Sequence, residues 1–243
     1  MTFMRTLLAG AAVLAIAGAA HAATYDAVAD FSTSTSSGSV WSYGTGTTGT
    51  DFTPYSNFNA NCFGPGTACW QTATPVDLVP AVIKNTSGVT INNGTVVFPA
   101  NVLLVHPGPN TDSIVRFTVP VTGTYHVTGF YELLDTNPTG VNAIIAINDA
   151  VIAVSFHLTG PGAMHPGTVG QFVSFGGGNF FLPAGTFIDY GVNNDGNFFN
   201  DSTGLSLTFT QVPEPAAWAL MLVGFGALGA SLRTSRRKTT VAA

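Results

Sequence analysis

The sequence predicts an all-β fold, a single antiparallel β-sandwich of jelly-roll type with an apolar segment at each end of the chain. Three observations carry that prediction. Short runs alternating apolar and polar residues recur from Ala23 onward. Turn-forming residues punctuate the runs, and no 3.6-residue apolar period persists between the two end segments. The spacing suits roughly a dozen short strands, the pattern of a sandwich or jelly roll.

Each run shows its parity. Val115, Phe117 and Val119 alternate with Ile114, Arg116 and Thr118. Tyr125, Val127, Tyr131 and Leu133 share one face of the next segment. Ile152, Val154, Phe156 and Leu158 lie opposite Ala153, Ser155 and His157, and Leu205, Leu207 and Phe209 oppose Ser206, Thr208 and Thr210. Between them stand Pro120 to Gly123, Asn137 to Gly140, the hairpin candidate Asn148-Asp149, and Pro183 to Gly185.

The front segment, residues 1–22, has the layout of a signal peptide. Arg5 supplies a positive start, and Leu7 to Ala20 is an uncharged run of fourteen residues, short for a membrane span. Ala20-His21-Ala22 presents small residues to signal peptidase, which places cleavage before Ala23. The exported domain then covers residues 23–211.

The rear segment, residues 212–238, has three parts: Pro213-Glu214-Pro215, the charge-free stretch 216–232, and a tail with Arg233, Arg236, Arg237 and Lys238. At about 1.5 Å per residue the middle part spans roughly 26 Å as a helix, enough for a thin bilayer. It reads as a transmembrane helix opened by Pro215, which costs no amide donor there. The basic cluster would hold the tail inside and halt export in the inner membrane.

This tripartite terminus resembles the PEP-CTERM sorting signal, and Pro213-Glu214-Pro215-Ala216-Ala217-Trp218-Ala219 is close to its Trp-Ala variant. The resemblance implies that exosortase, a membrane transpeptidase-like enzyme, recognises Pro213, Glu214 and Pro215. It implies processing there and delivery to the surface or extracellular matrix of a Gram-negative, exopolysaccharide-producing cell.

Between Ala23 and Val212, ten Asp and Glu132 face only Lys84 and Arg116, nine net negative charges. Such a body repels nucleic acid and anionic lipid. Recurrent Val, Ile, Leu, Phe and Tyr argue against disorder. Cys62 and Cys69 flank a Gly- and Pro-containing loop, and in an oxidising compartment they are expected to form a disulfide.

The stretch from Phe117 to Val127 resembles a strand-turn-strand signature of bacterial lectin-like, carbohydrate-binding jelly rolls. Val40 to Gly44, His106-Pro107-Gly108 and Asp201 to Leu205 resemble other pieces of such domains. The resemblance suggests a fold, and a fold does not fix a function.

Sugars stack on exposed aromatic faces and are oriented by a few polar groups. Trp41, Tyr43 and Trp70, with Tyr55 and Phe58 and several Asn nearby, are candidates for such a site. The same rings serve equally as sandwich core. Asp189, Asp195 and Asp201 are candidate calcium ligands in an oxygen-rich stretch, although the spacing is not that of an EF-hand and a turn at Gly196 explains the same residues. His106 precedes Pro107-Gly108 and should end a strand. Arg116 is expected to pair with an Asp.

The chain carries no Gly-x-Ser-x-Gly elbow, phosphate loop, dinucleotide fingerprint or zinc motif. Glu132 and Asp135 straddle the end of a run, which fixes no carboxylate separation. The sequence therefore points to a non-enzymatic surface or matrix protein associated with exopolysaccharide. A secreted lectin is the first alternative. A secreted hydrolase, its site assembled from distant loops, is the second.

Overall fold

The alternating runs fold as strands, because period-two patterning buries one face of each run and leaves the other to solvent or to a second layer. The computed structural model describes residues 22–77, 79–148, 151–160, 171–213 and 215–239. The stretch expected to be a signal peptide, through His21, lies outside them, as do Asp149, His165 and Glu214. In chain order the first strands are β1 (Thr24–Asp26), β2 (Trp41–Gly46), β3 (Thr53–Pro54), β4 (Asn57–Ala60), β5 (Thr67–Val76) and β6 (Val79–Asn85). The short pair β7 (Ile91–Asn93) and β8 (Val96–Phe98) follows, then β9 (Leu103–His106), β10 (Asp112–Thr118) and β11 (Gly123–Leu133). The last are β12 (Val141–Ile147), β13 (Val151–Leu158), β14 (Phe172–Leu182), β15 (Phe187–Asn193) and β16 (Thr203–Val212). One helix, α1 (Pro215–Thr239), closes the order.

The strands build two large antiparallel sheets. One runs β14-β11-β16-β9-β6-β5-β4, with β1 also paired to β16, and the other runs β13-β12-β15-β10-β2-β3. From β9 to β16 the chain changes sheet at every connection except the β12–β13 hairpin. The turn Pro120 to Gly123 is one of these crossings, not a hairpin, and Tyr125 secures it by donating its hydroxyl to the Val121 carbonyl at 2.6 Å. The β12–β13 connection follows the expected place: Ile147 registers with Val151, and Asn148 takes a φ of 53°.

The inner faces carry the parities read from sequence, except on the edge strand β13, where Leu158 is buried, Phe156 half-buried and Val154 exposed. Tyr43, Val115 and Tyr190 lie in one row across β2, β10 and β15, and Trp41 and Phe117 lie in the next. Phe117 of one sheet stacks on Phe209 of the other at 3.7 Å between ring centres and 8° between planes. Tyr125, Tyr131, Leu133, Leu205 and Leu207 complete this core. A smaller apolar cluster of Ile83, Val96, Phe98, Leu104 and Leu134 lies apart from it, on the opposite parity of β6 and β9. The β7–β8 hairpin covers that cluster, fixed by amide donation from Val97 to Leu134 O and from Thr136 to Thr95 O. Cys62 and Cys69 belong to the same cluster and are joined as a disulfide, their Cα atoms 6.2 Å apart.

Residues 22–212 form one unit, and α1 is described by itself. Pro215 is its first helical residue. The helix continues seven residues past the expected end at 232, since the Arg and Lys side chains there are good helix formers favoured at a C-terminus. Among the described residues, no helix is long and apolar enough to cross a membrane. Leu222, Val223, Phe225, Leu228 and Leu232 are nevertheless all exposed on α1.

Candidate functional site

Five connections converge at one end of the larger sheet, where antiparallel register brings Leu133 and Val105 alongside Thr203. Between them lies a cavity of about 250 Å³. Its floor is the smaller apolar cluster, with Ile83, Leu104 and Cys62. Its polar wall comes from the β5–β6 turn (Asp77), the β7–β8 hairpin (Asn93, Thr95), the end of β9 (His106), the segment after β11 (Asp135), and the approach to β16 (Asn200, Ser202). Asp77, Asn93 and Asn200 are exposed at the rim, and Asp135 is buried.

The parity of β9 explains His106. It points to the same side as Leu104, toward the second cluster and away from the main core. Its Nδ1 lies 2.9 Å from the Pro107 carbonyl, a contact that requires the proton on Nδ1. Burial holds the imidazole below the usual histidine range, against smaller opposing effects of that carbonyl and of the Asp135 charge. Asp135 is anchored in turn. Its Oδ2 accepts from the Thr95 hydroxyl at 3.0 Å, and its Oδ1 accepts from the Asn137 amide at 3.0 Å. Asp77 and Asn200 hold left-handed backbone, with φ of 50° and 62°.

A second cavity, of about 190 Å³, opens between the sheets at the β13 and β14 edges. Val127, Ile145, Phe175, Leu182 and Tyr190 line it without a charged group, so it can take only apolar matter.

The structure does not place Trp41, Tyr43 and Trp70 as a sugar platform. All three are buried in the main core. Trp41 packs on Phe117 at 5.0 Å between ring centres, and its Nε1 donates to Asp30 at 3.3 Å. Trp70 donates to the Ser32 carbonyl at 2.7 Å. The inner parity of β2 accounts for this, because it turns residues 41 and 43 toward the opposite sheet.

The calcium candidates are also dispersed. Asp189 pairs with Arg116 on the sheet, Asp195 lies exposed in the turn with His157 at 2.9 Å, and Asp201 is buried against the Thr139 hydroxyl at 2.7 Å. Among the described residues, no three His, Cys, Asp or Glu side chains are grouped to hold a metal ion. Gly196 does take the positive φ expected of a turn. Arg116 forms the expected ion pair, with Nε 2.6 Å from Asp189 Oδ1 and Nη2 2.8 Å from Oδ2.

Sequence reading missed the cavity. It placed His106 at a strand end and Asp135 beyond one, but their meeting depends on the order of β9, β16 and β11 in the sheet. Of the sorting residues, Pro213 lies between β16 and α1 and Pro215 opens the helix. Arg233 is exposed, and the side chains of Arg236, Arg237 and Lys238 fall outside the described ones.

Comparison with known proteins assigns the terminus. Residues 211–238 match the family described as PEP-CTERM protein-sorting motif. The chain is thus a β-sandwich body ending in a protein-sorting motif. No curated protein matches it. Among solved structures, the Podospora anserina GH26-CBM35 beta-(1,4)-mannanase aligns over 62% of this chain at 15% identity and a TM-score of 0.30. A family 35 carbohydrate binding module from Clostridium thermocellum aligns over 59% of this chain and 87% of its own, at 12% identity and a TM-score of 0.28. The enzymatically active domain of bacteriophage CBA120 tailspike protein 4 aligns over 72% of this chain and 20% of its own, at 12% identity and a TM-score of 0.27. The match spans about 29% of the mannanase's length.

Proposed function

We propose that this chain is an exported surface or extracellular-matrix protein, sorted by exosortase and associated with the exopolysaccharide of its cell. The observation that carries this reading is the three-part terminus within 211–238: Pro213-Glu214-Pro215, a charge-free helical stretch, and a basic tail. In this reading signal peptidase cleaves before Ala23, and the stretch 216–232 halts in the inner membrane with Arg233, Arg236, Arg237 and Lys238 inside. Exosortase then processes the chain near Pro213 to Pro215. The exposed Leu222, Val223, Phe225, Leu228 and Leu232 suit a lipid environment.

We read the body as non-enzymatic. Ser113, for example, is buried and donates to the Ala81 carbonyl at 3.0 Å, which removes it as a nucleophile. A second reading, a secreted lectin, is favoured by the cavity beside His106 and Asp135. It combines an apolar floor with a few fixed polar groups, as small-molecule sites do.

Fractionation of a host with exosortase tests the sorting reading, using a tag carried in the body. Wild-type protein should lose its C-terminal tail and reach the surface. Replacing Pro213, Glu214 and Pro215 should leave insertion intact and trap the full-length chain in the inner membrane. Neutralising the four basic residues should weaken the halt. A wild-type product that keeps its tail would make the segment a plain anchor.

A further inference from the structure

We infer that the cavity under the β7–β8 hairpin binds one uncharged saccharide unit and rejects acidic ones, His106 and Asp135 accepting hydrogen bonds from its hydroxyl groups. The inference rests on the lectin reading and narrows it.

The wall is rich in acceptors. With its proton on Nδ1 and committed to Pro107, a neutral His106 presents Nε2 as a lone pair, and the ring lines the cavity. Burial favours that neutral form. The Asp135 carboxylate accepts only one bond at each oxygen from Thr95 and Asn137, so lone pairs remain for a ligand. Asp77 adds an acceptor at the rim, the Asn93 amide, which gives one proton to the Phe63 carbonyl at 3.3 Å, keeps a second, and the Asn200 amide adds further donors for ring or hydroxyl oxygens. Hydroxyl groups, which donate and accept, fit this mixture.

Charge excludes the acidic sugars. Among the described residues, no Lys or Arg lines the cavity. The body's two basic side chains are engaged elsewhere, Lys84 on the Val28 carbonyl and Arg116 on Asp189. A uronic acid would bring its carboxylate next to Asp77 and Asp135, inside a body of nine net negative charges, with no counter-ion. The apolar floor of Ile83 and Leu104 receives the C–H face of a neutral ring. A volume of about 250 Å³ lies below the ~300 Å³ lower end for drug-sized ligands, which leaves room for one ring rather than an internal stretch of chain.

Saturation-transfer NMR on the full chain in detergent, at neutral pH, tests this with the methyl glycosides of glucose, mannose, galactose and glucuronic acid. At least one neutral glycoside should bind and the glucuronide should not. Asp135→Asn and His106→Gln should each weaken binding about tenfold or more, the loss of a strong hydrogen bond. Asn93→Ala, at the exposed rim, should weaken it without unfolding, and it decides the matter if the buried variants fail to fold. Glucuronide binding as tight as the neutral sugars, or sugar binding unchanged in all folded variants, overturns this inference and leaves the lectin reading standing. No binding of any of the four glycosides overturns both.

Discussion

Arg116 sits with its guanidinium between the rings of Phe52 and Phe187, 4.2 and 4.0 Å from their centres, while its fork holds the buried Asp189. Removing it takes the guanidinium away from a carboxylate that is 1% exposed. Arg116→Ala should cost about 3–5 kcal/mol in urea unfolding, the usual result of breaking a buried pair from one side. Arg116→Lys should recover only part of that, because an ammonium has neither the fork nor the planar stacking face. A different carboxylate, Asp201, makes a pH prediction. It is fully buried, and its Oδ2 has no hydrogen-bond partner among the described residues. Burial pushes its carboxyl up to about 7, against the opposing Thr139 hydrogen bond. A carboxyl raised on folding binds more protons folded than unfolded. Its penalty therefore begins above the unfolded value of about 3.9, grows as pH rises, and is complete above about 7. Asp201→Asn removes this titration. Its melting temperature relative to wild type should climb across that window and then level, at a gain on the order of 5 °C. His106 titrates in the opposite sense: stability is lost as pH falls below about 6.5. That effect is common to both proteins and cancels in the difference. A flat difference across pH would mean that Asp201 is not strained by burial.

At the scale of elements, parity made most strands legible. Val115 and Phe117, Tyr125 to Leu133, and Leu205 to Phe209 all turn inward as their alternation predicts. Parity does not say which sheet a strand joins, so the crossing at Pro120 to Gly123 and the cover provided by β7 and β8 were not readable. The same limit left Trp41 and Tyr43 open between a sugar face and the core: an aromatic on a strand has two faces to choose from, and only the neighbouring sheet decides. The Cys62–Cys69 loop is an element whose worth can be measured. Closing so short a ring should contribute roughly 2–3 kcal/mol. Thermal melts of Cys62→Ser with Cys69→Ser, and of wild type with reductant, should fall together. Because Cys62 lines the polar cavity, the same variants should also weaken whatever binds there. Unchanged melting in both cases would remove the disulfide from the account of stability.

At the scale of the molecule, the C-terminal end was read more fully than the middle. A sorting motif is a linear pattern, complete within residues 211–238, and needs no tertiary contact to be recognised. The cavity is the opposite case. Its wall runs from Asp77 to Ser202 in sequence, and no local pattern joins those residues.

Strand β16 connects the two. It begins beside Ser202 at the cavity and finishes at Val212, where the sorting motif takes over. Ten residues of strand cover about 33 Å. The Gln211 amide donates to the Ala23 carbonyl at 2.8 Å, so the other end of the body emerges at the same place. Both ends of the body therefore form its base, and the cavity mouth is its tip. A protein fused ahead of Ala23 or behind Val212 would join that base and leave the tip unobstructed.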